Sequence, residues 1–292
     1  MSVAVFIGLI GFVLILAALD SLRQSTGDDT GQTDMPINVN KEHFLIPFGE
    51  GQFSPAMRVK RDENPHKVID DFNLLHPRPT IFITGGASKM SAEDIERTRV
   101  LIEDCIAAFA EKHKITIVDG GTEAGVMDMM GDARRKHQYK FPLVGVAPFG
   151  KVSFPQHENK NGEAELQDGH SHFVLVESDE WGGESEMIVG LTKAIAQGAT
   201  PMVGVLINGG KIAEREVYLA SATGENRMPL IIIDGSGRTA DNISTAFKTQ
   251  QTDSDLIRAI IKGADIRLTA LEDGTEALQK ELERVFLPTS VG

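Results

Sequence analysis

The stretch "ITIVDGGTEAGVM", Ile115 to Met127, decides the fold class. Its first four residues form a short, β-branched run suited to a strand. Asp119, Gly120 and Gly121 interrupt that run, and "DMMGDARRKHQ", from Asp128, reads as a helix. A strand passing through a glycine pair into a helix needs a tight turn. Glycine supplies it, because a residue without Cβ takes positive φ and lets another group approach the main chain. The following helix presents unpaired N–H groups and the positive end of its dipole at that turn. A phosphate or another anion fits such a junction, and so does a tight turn with no ligand.

The same rhythm runs on from Thr80. "TIFITGGA" is a strand ending in glycine, and "SAEDIERTRVLIEDCIAAFAEKHK" is an amphipathic helix with Ser91 as its N-cap. "PLVGVAP" is the next strand, followed by a polar excursion over residues 151–169. "HFVLVES" then leads through "WGGESE" into the helix "MIVGLTKAIAQG", which Gly198 stops. "PMVGVLINGG", a short helix and "PLIIIDGSGR", the last strong strand, follow; residues 239–286 are helix-rich. Near-continuous apolar strands are buried on both faces, and their alternation with helices makes a parallel sheet. The predicted fold is α/β: a Rossmann-like, doubly wound, mainly parallel sheet, preceded by an N-terminal apolar helix.

The domain over residues 80–292 is preceded by three other segments. Residues 41–79 form a lead-in with a short strand, loops and a short helix. Residues 23–40 are polar and read as a flexible linker. Residues 1–22 contain the uninterrupted apolar run Val3–Leu19, which reaches the lower end of a membrane span (roughly 17–25 residues). No Lys or Arg precedes that run, as a secretory signal requires, and Arg23 follows it. The expectation is a membrane anchor with the main domain on the cytoplasmic side. A cleaved signal, or a cytoplasmic protein starting at Met35, is the alternative.

The 292 residues carry 29 basic and 42 acidic side chains, a net charge of −13, which argues against a nucleic-acid partner. The one cysteine, Cys105, excludes a disulfide framework or a cysteine metal site and reads as a small core residue.

Open parallel sheets bind ligands beyond the carboxyl ends of their strands, and this chain places its glycines there: "TGGAS", "DGGTEAG", "WGGES", "NGG" and "DGSGR". Gly85, Gly86 and Ser88 would hold a phosphate or ribose. Gly120, Gly121 and Thr122 form a phosphate cradle, unless Thr122 merely caps the helix. Gly182 and Gly183 form a further turn. Gly235 and Ser236 precede Arg238, whose planar guanidinium suits a bidentate phosphate contact or a salt bridge to Asp241. Glu177 and Asp179 close their strand where acids bind ribose hydroxyls or serve a helix dipole. Trp181 would stack on a base or pack. His170 and His172 share strand parity, but without further clustered ligands they read as structural histidines and no metal is assigned.

"GGTEAGVM", Gly120–Met127, resembles the GGGxxGLM turn of Lonely Guy and DprA-like Rossmannoid proteins. Closer is the resemblance to the N-terminal cytosolic domain of TRPM channels and its prokaryotic counterpart, the LSDAT family of the SLOG superfamily. "FITGGAS", "VDGGTEAGVM", "VGVAPFG", "DGHSHFVLVES", "TPMVGVLINGG" and "PLIIIDGSGRTADNIS" carry it, in order, over about residues 80–250. The resemblance implies a Rossmann-like domain that senses a nucleotide or nucleotide-derived molecule such as ADP-ribose or NAD. Lonely Guy enzymes use the glutamate of PGGxGTxxE; in "WGGESEMIV" the glycines match, but the glutamate position falls on Val189, which cannot ionise. A ligand sensor with no catalysis of its own is therefore expected, with a homo-oligomer as an open state. The alternatives are a nucleotide-processing enzyme using Glu184 or Glu186, and an interaction module with empty turns.

Overall fold

The computed structural model describes residues 37–39, 42–49, 51–222 and 226–287. The expected N-terminal apolar helix over Val3–Leu19 lies outside the described residues. Among the described residues no helix is long and apolar enough to cross a membrane.

One nine-stranded sheet organises the chain, in the order β1-β2-β8-β5-β4-β3-β9-β10-β11. Its central strands are β3 (Thr80–Gly85), β4 (Thr116–Asp119), β5 (Leu143–Pro148), β8 (His172–Val176), β9 (Met202–Ile207) and β10 (Leu230–Asp234), all parallel. The chain leaves β3 in one direction through β4, β5 and β8, then returns to lay β9 on the other side of β3. The β3–β9 junction is thus the topological switch point, where open α/β sheets form their ligand crevice.

Both ends of the sheet hold more strand than the sequence reveals. The lead-in forms a hairpin, β1 (His43–Gly49) and β2 (Gln52–Val59), and β2 joins β8 in parallel, so this segment belongs to the main sheet. At the far edge β11 (Ile266–Ala270) pairs with β10, a strand within the stretch expected to be helix-rich. The excursion after β5 contributes the short pair β6 (Val152–Ser153) and β7 (Ala164–Glu165).

Alternation along the strands splits the core between two faces. Ile81 and Ile83 point into a layer with Leu101, Met130, Leu278 and Leu282. These residues come from α2, α3 (Gly125–Lys136) and α8 (Gly274–Phe286). Helix α2 runs as Ala92–Val100, widens into a π-helix over Leu101–Ala107 and ends at Ala108–His113. Its N-cap is Ser91, which accepts from the Asp94 amide at 3.1 Å. Cys105 is buried in the π segment, and burial pushes its thiol up to about 12.

Phe82, on the opposite face, meets residues of α1 (Pro65–Asp71) and α4 (Ser185–Ala196). Leu206 and Ile232 meet α5 (Lys211–Ser221), α6 (Arg238–Thr249) and α7 (Asp255–Gly263). Helix α4 ends one residue before the expected stop, at Gln197, whose left-handed φ of 52° precedes Gly198.

A buried polar pin sets the turn after β4. Asp119 is fully buried; its Oδ1 accepts from the Gly121 amide at 2.9 Å and lies 2.7 Å from His170 Nε2. The His170 ring is itself bracketed on its other side by two oxygens of Gln167, at 3.2 and 3.3 Å. Gly121 takes φ +68°, and a Cβ there would sit 2.7 Å from Gly145 Cα, so only glycine fits between the pin and β5. His172 has different partners: it packs edge-on to Phe72 at 5.4 Å and contacts Ser171 Oγ at 2.8 Å. Burial, with Arg134 nearby, lowers its pKa to about 4. The structural reading of both histidines fits these contacts.

Removing one partner of a buried hydrogen bond costs more than the bond's net contribution, because the remaining polar atom stays dry and unsatisfied. Asp119→Ala and His170→Ala should each lower unfolding free energy by roughly 1–3 kcal/mol. The double variant should lose clearly less than the sum, as read by urea denaturation of all four proteins. Strict additivity would show that the two side chains are not coupled.

Candidate functional site

At the end of β3, Gly85 takes φ +144°, and a Cβ built on it would lie 1.9 Å from the Ile207 carbonyl oxygen. The Gly86 amide donates to that same carbonyl at 3.1 Å. A Cβ at Gly86 would meet nothing within 4 Å, so this residue borders open space. Gly125, the first residue of α3, takes φ +56° and packs on the same turn, its Cβ position 2.8 Å from the Ala87 nitrogen. On the other side Gly209 takes φ +91°, its Cβ position 3.6 Å from Gly85 Cα. The switch point is therefore lined by backbone from three turns in direct contact.

Asn208, overlooked by the sequence reading although it begins "NGG", ties these turns together. It is buried and left-handed, with φ 58°. Its Nδ2 donates to the Ser236 carbonyl at 2.7 Å and the Ser88 carbonyl at 3.3 Å, and its amide donates to Ser236 Oγ at 2.7 Å. Asparagine tolerates this backbone conformation better than other non-glycine residues. The turns bearing Gly85, Gly86 and Ser88 and bearing Gly235, Ser236 and Arg238 are thus brought to one crevice.

Helix N-termini at this edge differ in what they have left to offer. Ala124 is the N-cap position of α3 and Gly210 that of α5, and neither helix has a side-chain cap. The start of α6 is closed: the Thr239 and Ala240 amides donate to the Gly209 and Asn208 carbonyls. Ser236 Oγ is engaged too, donating to the Ile233 carbonyl while accepting from Asn208. Gly182 and Gly183 sit at the start of α4, where the Gly182 amide already donates to Glu184 Oε2 at 2.8 Å. In the turn before α3 the amides of Gly121, Glu123 and Ala124 all have internal acceptors, and Thr122 is buried but is not the cap. The inward amide of Gly121 leaves the first turn of α3, rather than the glycine pair itself, as the open donor edge.

Arg238 stands over this region. It is exposed and left-handed at φ 50°, a conformation a non-glycine residue holds only under tertiary constraint. Its Nη2 lies 2.9 Å from the Cβ position of Gly210, beside the uncapped start of α5. Asp241, the alternative partner, instead accepts from the Gly235 amide at 2.8 Å. Among the described residues no carboxylate pairs with Arg238.

Other candidates lie apart from the crevice. Glu177 pairs with Arg58 at 3.1 Å, and that guanidinium stacks 4.2 Å over Phe149 at the β2–β8 side. Trp181 donates its indole N–H to Glu163 at 2.7 Å. Asp179 is exposed. Val189, at the Lonely Guy glutamate position, is buried in the core against α1 and β3. Between the crevice and the Gly182 turn lies a feature the sequence does not announce: Glu216 of α5, buried, accepts hydroxyl hydrogen bonds from Thr84 at the end of β3 and from Ser185 at 3.1 Å. Burial and the nearby Glu184 push its carboxyl up to about 7.

Comparison with known proteins adds the family. A family model described as "SLOG in TRPM, prokaryote" matches residues 78–278. A TRPM member-like 2 channel of Nematostella vectensis is 26% identical over 256 residues, covering 74% of this chain and 16% of that protein. TRPM member 1 of Mus musculus is 27% identical over 277 residues, with 77% and 16% covered. The chain thus spans a small fraction of the channels' length. Among solved structures, the molybdenum cofactor binding protein from Rippkaea orientalis aligns with a TM-score of 0.43 at 14% identity, covering 70% of this chain and 98% of that one. With the family model spanning most of its length, from before β3 into α8, the chain belongs to the prokaryotic SLOG-in-TRPM family.

Proposed function

We propose that this domain is a ligand sensor that binds a nucleotide-derived molecule of the ADP-ribose kind in the crevice between β3 and β9, without catalysis of its own. The observation that carries the reading is the convergence at one switch point of an unobstructed glycine turn, two uncapped helix N-termini and an arginine that no carboxylate among the described residues pairs. Main-chain N–H groups and helix dipoles favour anions, and a guanidinium adds a bidentate contact to phosphate oxygens. Gly85, Gly86, the first turn of α3, Gly209–Gly210 and Arg238 would hold the phosphoryl part. Family membership supports a small-molecule ligand; ADP-ribose itself is our choice of first probe.

Val189 supports the absence of Lonely Guy-type hydrolysis, because the side chain at that position is apolar and faces the core. Glu184 is engaged with the Gly182 amide and Glu186 with Arg215 at 3.2 Å, so neither carboxylate is directed at the crevice by its observed contacts.

The full chain with ADP-ribose at about 100 times its dissociation constant should gain roughly 2.7 kcal/mol of stability, read as a rise in Tm. Arg238→Ala should weaken binding by about 1.5–3 kcal/mol, roughly tenfold to more than a hundredfold, because a charged hydrogen bond is lost. Gly86→Leu should keep the unliganded Tm and abolish the ligand shift, since its side chain would enter open space at the crevice. No shift with ADP-ribose, NAD, AMP or inorganic phosphate would remove the nucleotide reading.

A further inference from the structure

Two buried carboxyl groups lie beside the crevice with no role in the contacts proposed above. Glu216 is buried on α5 and receives the Thr84 hydroxyl from β3 and the Ser185 hydroxyl from α4. Glu184, adjacent to Ser185 and 5% exposed, holds the Gly182 amide. One side-chain cluster therefore joins the end of β3, the start of α4, the middle of α5 and the turn that carries Trp181.

The charges facing the pair are few. Arg215 acts on both groups, and Arg61 acts on Glu184. Arg215 is exposed and already contacts the Gly182 carbonyl at 3.4 Å and Glu186 at 3.2 Å. Glu214, two residues from Glu216, is engaged by Lys211 at 2.9 Å and by Ser254 Oγ at 3.1 Å, at the α7 side. Two ionised carboxylates in this dry site would repel each other with one exposed, shared cation to offset them.

We infer that the Glu184–Glu216 pair is a proton-controlled clamp on the crevice: with a proton on the pair the Gly182 turn is held closed, and with both groups ionised Glu184 swings out and frees the Gly182 amide. Glu216 is the deeper group and is fixed by two hydroxyls, whereas Glu184 heads a helix beside a glycine turn. The turn is therefore the part that yields. Freeing it adds the start of α4 to the anion-binding edge.

The sign follows from Glu216. Its pKa is raised from the ordinary 4.5 to about 7, so the folded chain holds a proton that the unfolded chain releases. The associated stability is fully present below the ordinary value and is lost as pH rises through about 7. Burial also raises Glu184, in the same direction.

Trp181 is the only tryptophan in the chain and lies in the turn, so its emission reports on the clamp without any ligand. Nearby His157 is lowered by burial and by Arg58, and Glu163, which accepts the indole N–H, is lowered by its hydrogen bonds to Lys151 and Trp181, so both are shifted away from a midpoint near 7. The full chain should be titrated from about pH 5.5 to about pH 8.5, following Trp181 emission and amide exchange over Gly182–Ser185. Both should change together with one midpoint near 7, exchange being faster at the alkaline end after correction for intrinsic rates. Glu216→Gln and Glu184→Gln should each abolish the transition, because either change removes one of the two like charges whose repulsion opens the turn, while a Gln oxygen at 184 can still accept from the Gly182 amide. A flat wild-type profile, or a transition that survives in folded Glu216→Gln, overturns the clamp. If Glu216→Gln does not fold, a transition that survives in folded Glu184→Gln overturns it. None of these readings depends on the nucleotide assignment.

Discussion

The Ile207 carbonyl oxygen occupies the place a side chain at residue 85 would need. Much of the site follows from that close approach. Strands β3 and β9 are neighbours at the switch point, so the chain leaves them in different directions and the turns above them splay. Only a residue without Cβ lets the two backbones touch while the chain turns away. Gly125 repeats the condition against the Ala87 and Gly86 main chain, and Gly209, also at positive φ, is confined by the Ala213 side chain. What results is a floor of bare backbone, with the N-termini of α3 and α5 rising from it. A polar small molecule can approach main-chain amides there that would elsewhere be shielded by side chains.

A second level of structure keeps these turns in place. Asn208 reaches Ser88 and Ser236 from one side chain. Asp119 and His170 pin the turn before α3 from below. The amides these networks use are withdrawn from any ligand. The glycine pair Gly120–Gly121 illustrates the consequence: its geometry is that of a cradle, but its Gly121 amide faces Asp119. The donors that remain open belong to helix starts, not to the most glycine-rich stretch of sequence.

How much of this was legible beforehand depends on the range of the interaction. Gly85, Gly121, Gly209 and Gly235 could be found because backbone sterics leave a local mark, a glycine at a strand end. Ser91 could be found as a cap because its partner Asp94 lies three residues away. The hairpin β1–β2 was obscured by Pro47 and Pro55 within its strands and by a half-buried edge that produces no clean alternation. Strand β11 was obscured in the same way, with only Thr269 buried. The long-range contacts of Asn208, Asp119 and Glu216 left no local signal, since these partners lie 120, 51 and 132 residues away in Ser88, His170 and Thr84. Arg238 was legible as a cation near the edge. Its left-handed backbone and its position over Gly210 were not.

The central claim is that ligand binds on the backbone floor between β3 and β9. Hydrogen–deuterium exchange of the full chain with and without saturating ADP-ribose tests it most directly, because it maps contact onto main-chain amides. The account predicts slowed exchange confined to Gly85–Ser88, the first turn of α3 and Gly209–Lys211, with Arg238 at the boundary. Protection centred instead on the Arg58–Glu177 side of the sheet, or on the outer helices α7 and α8, would contradict it.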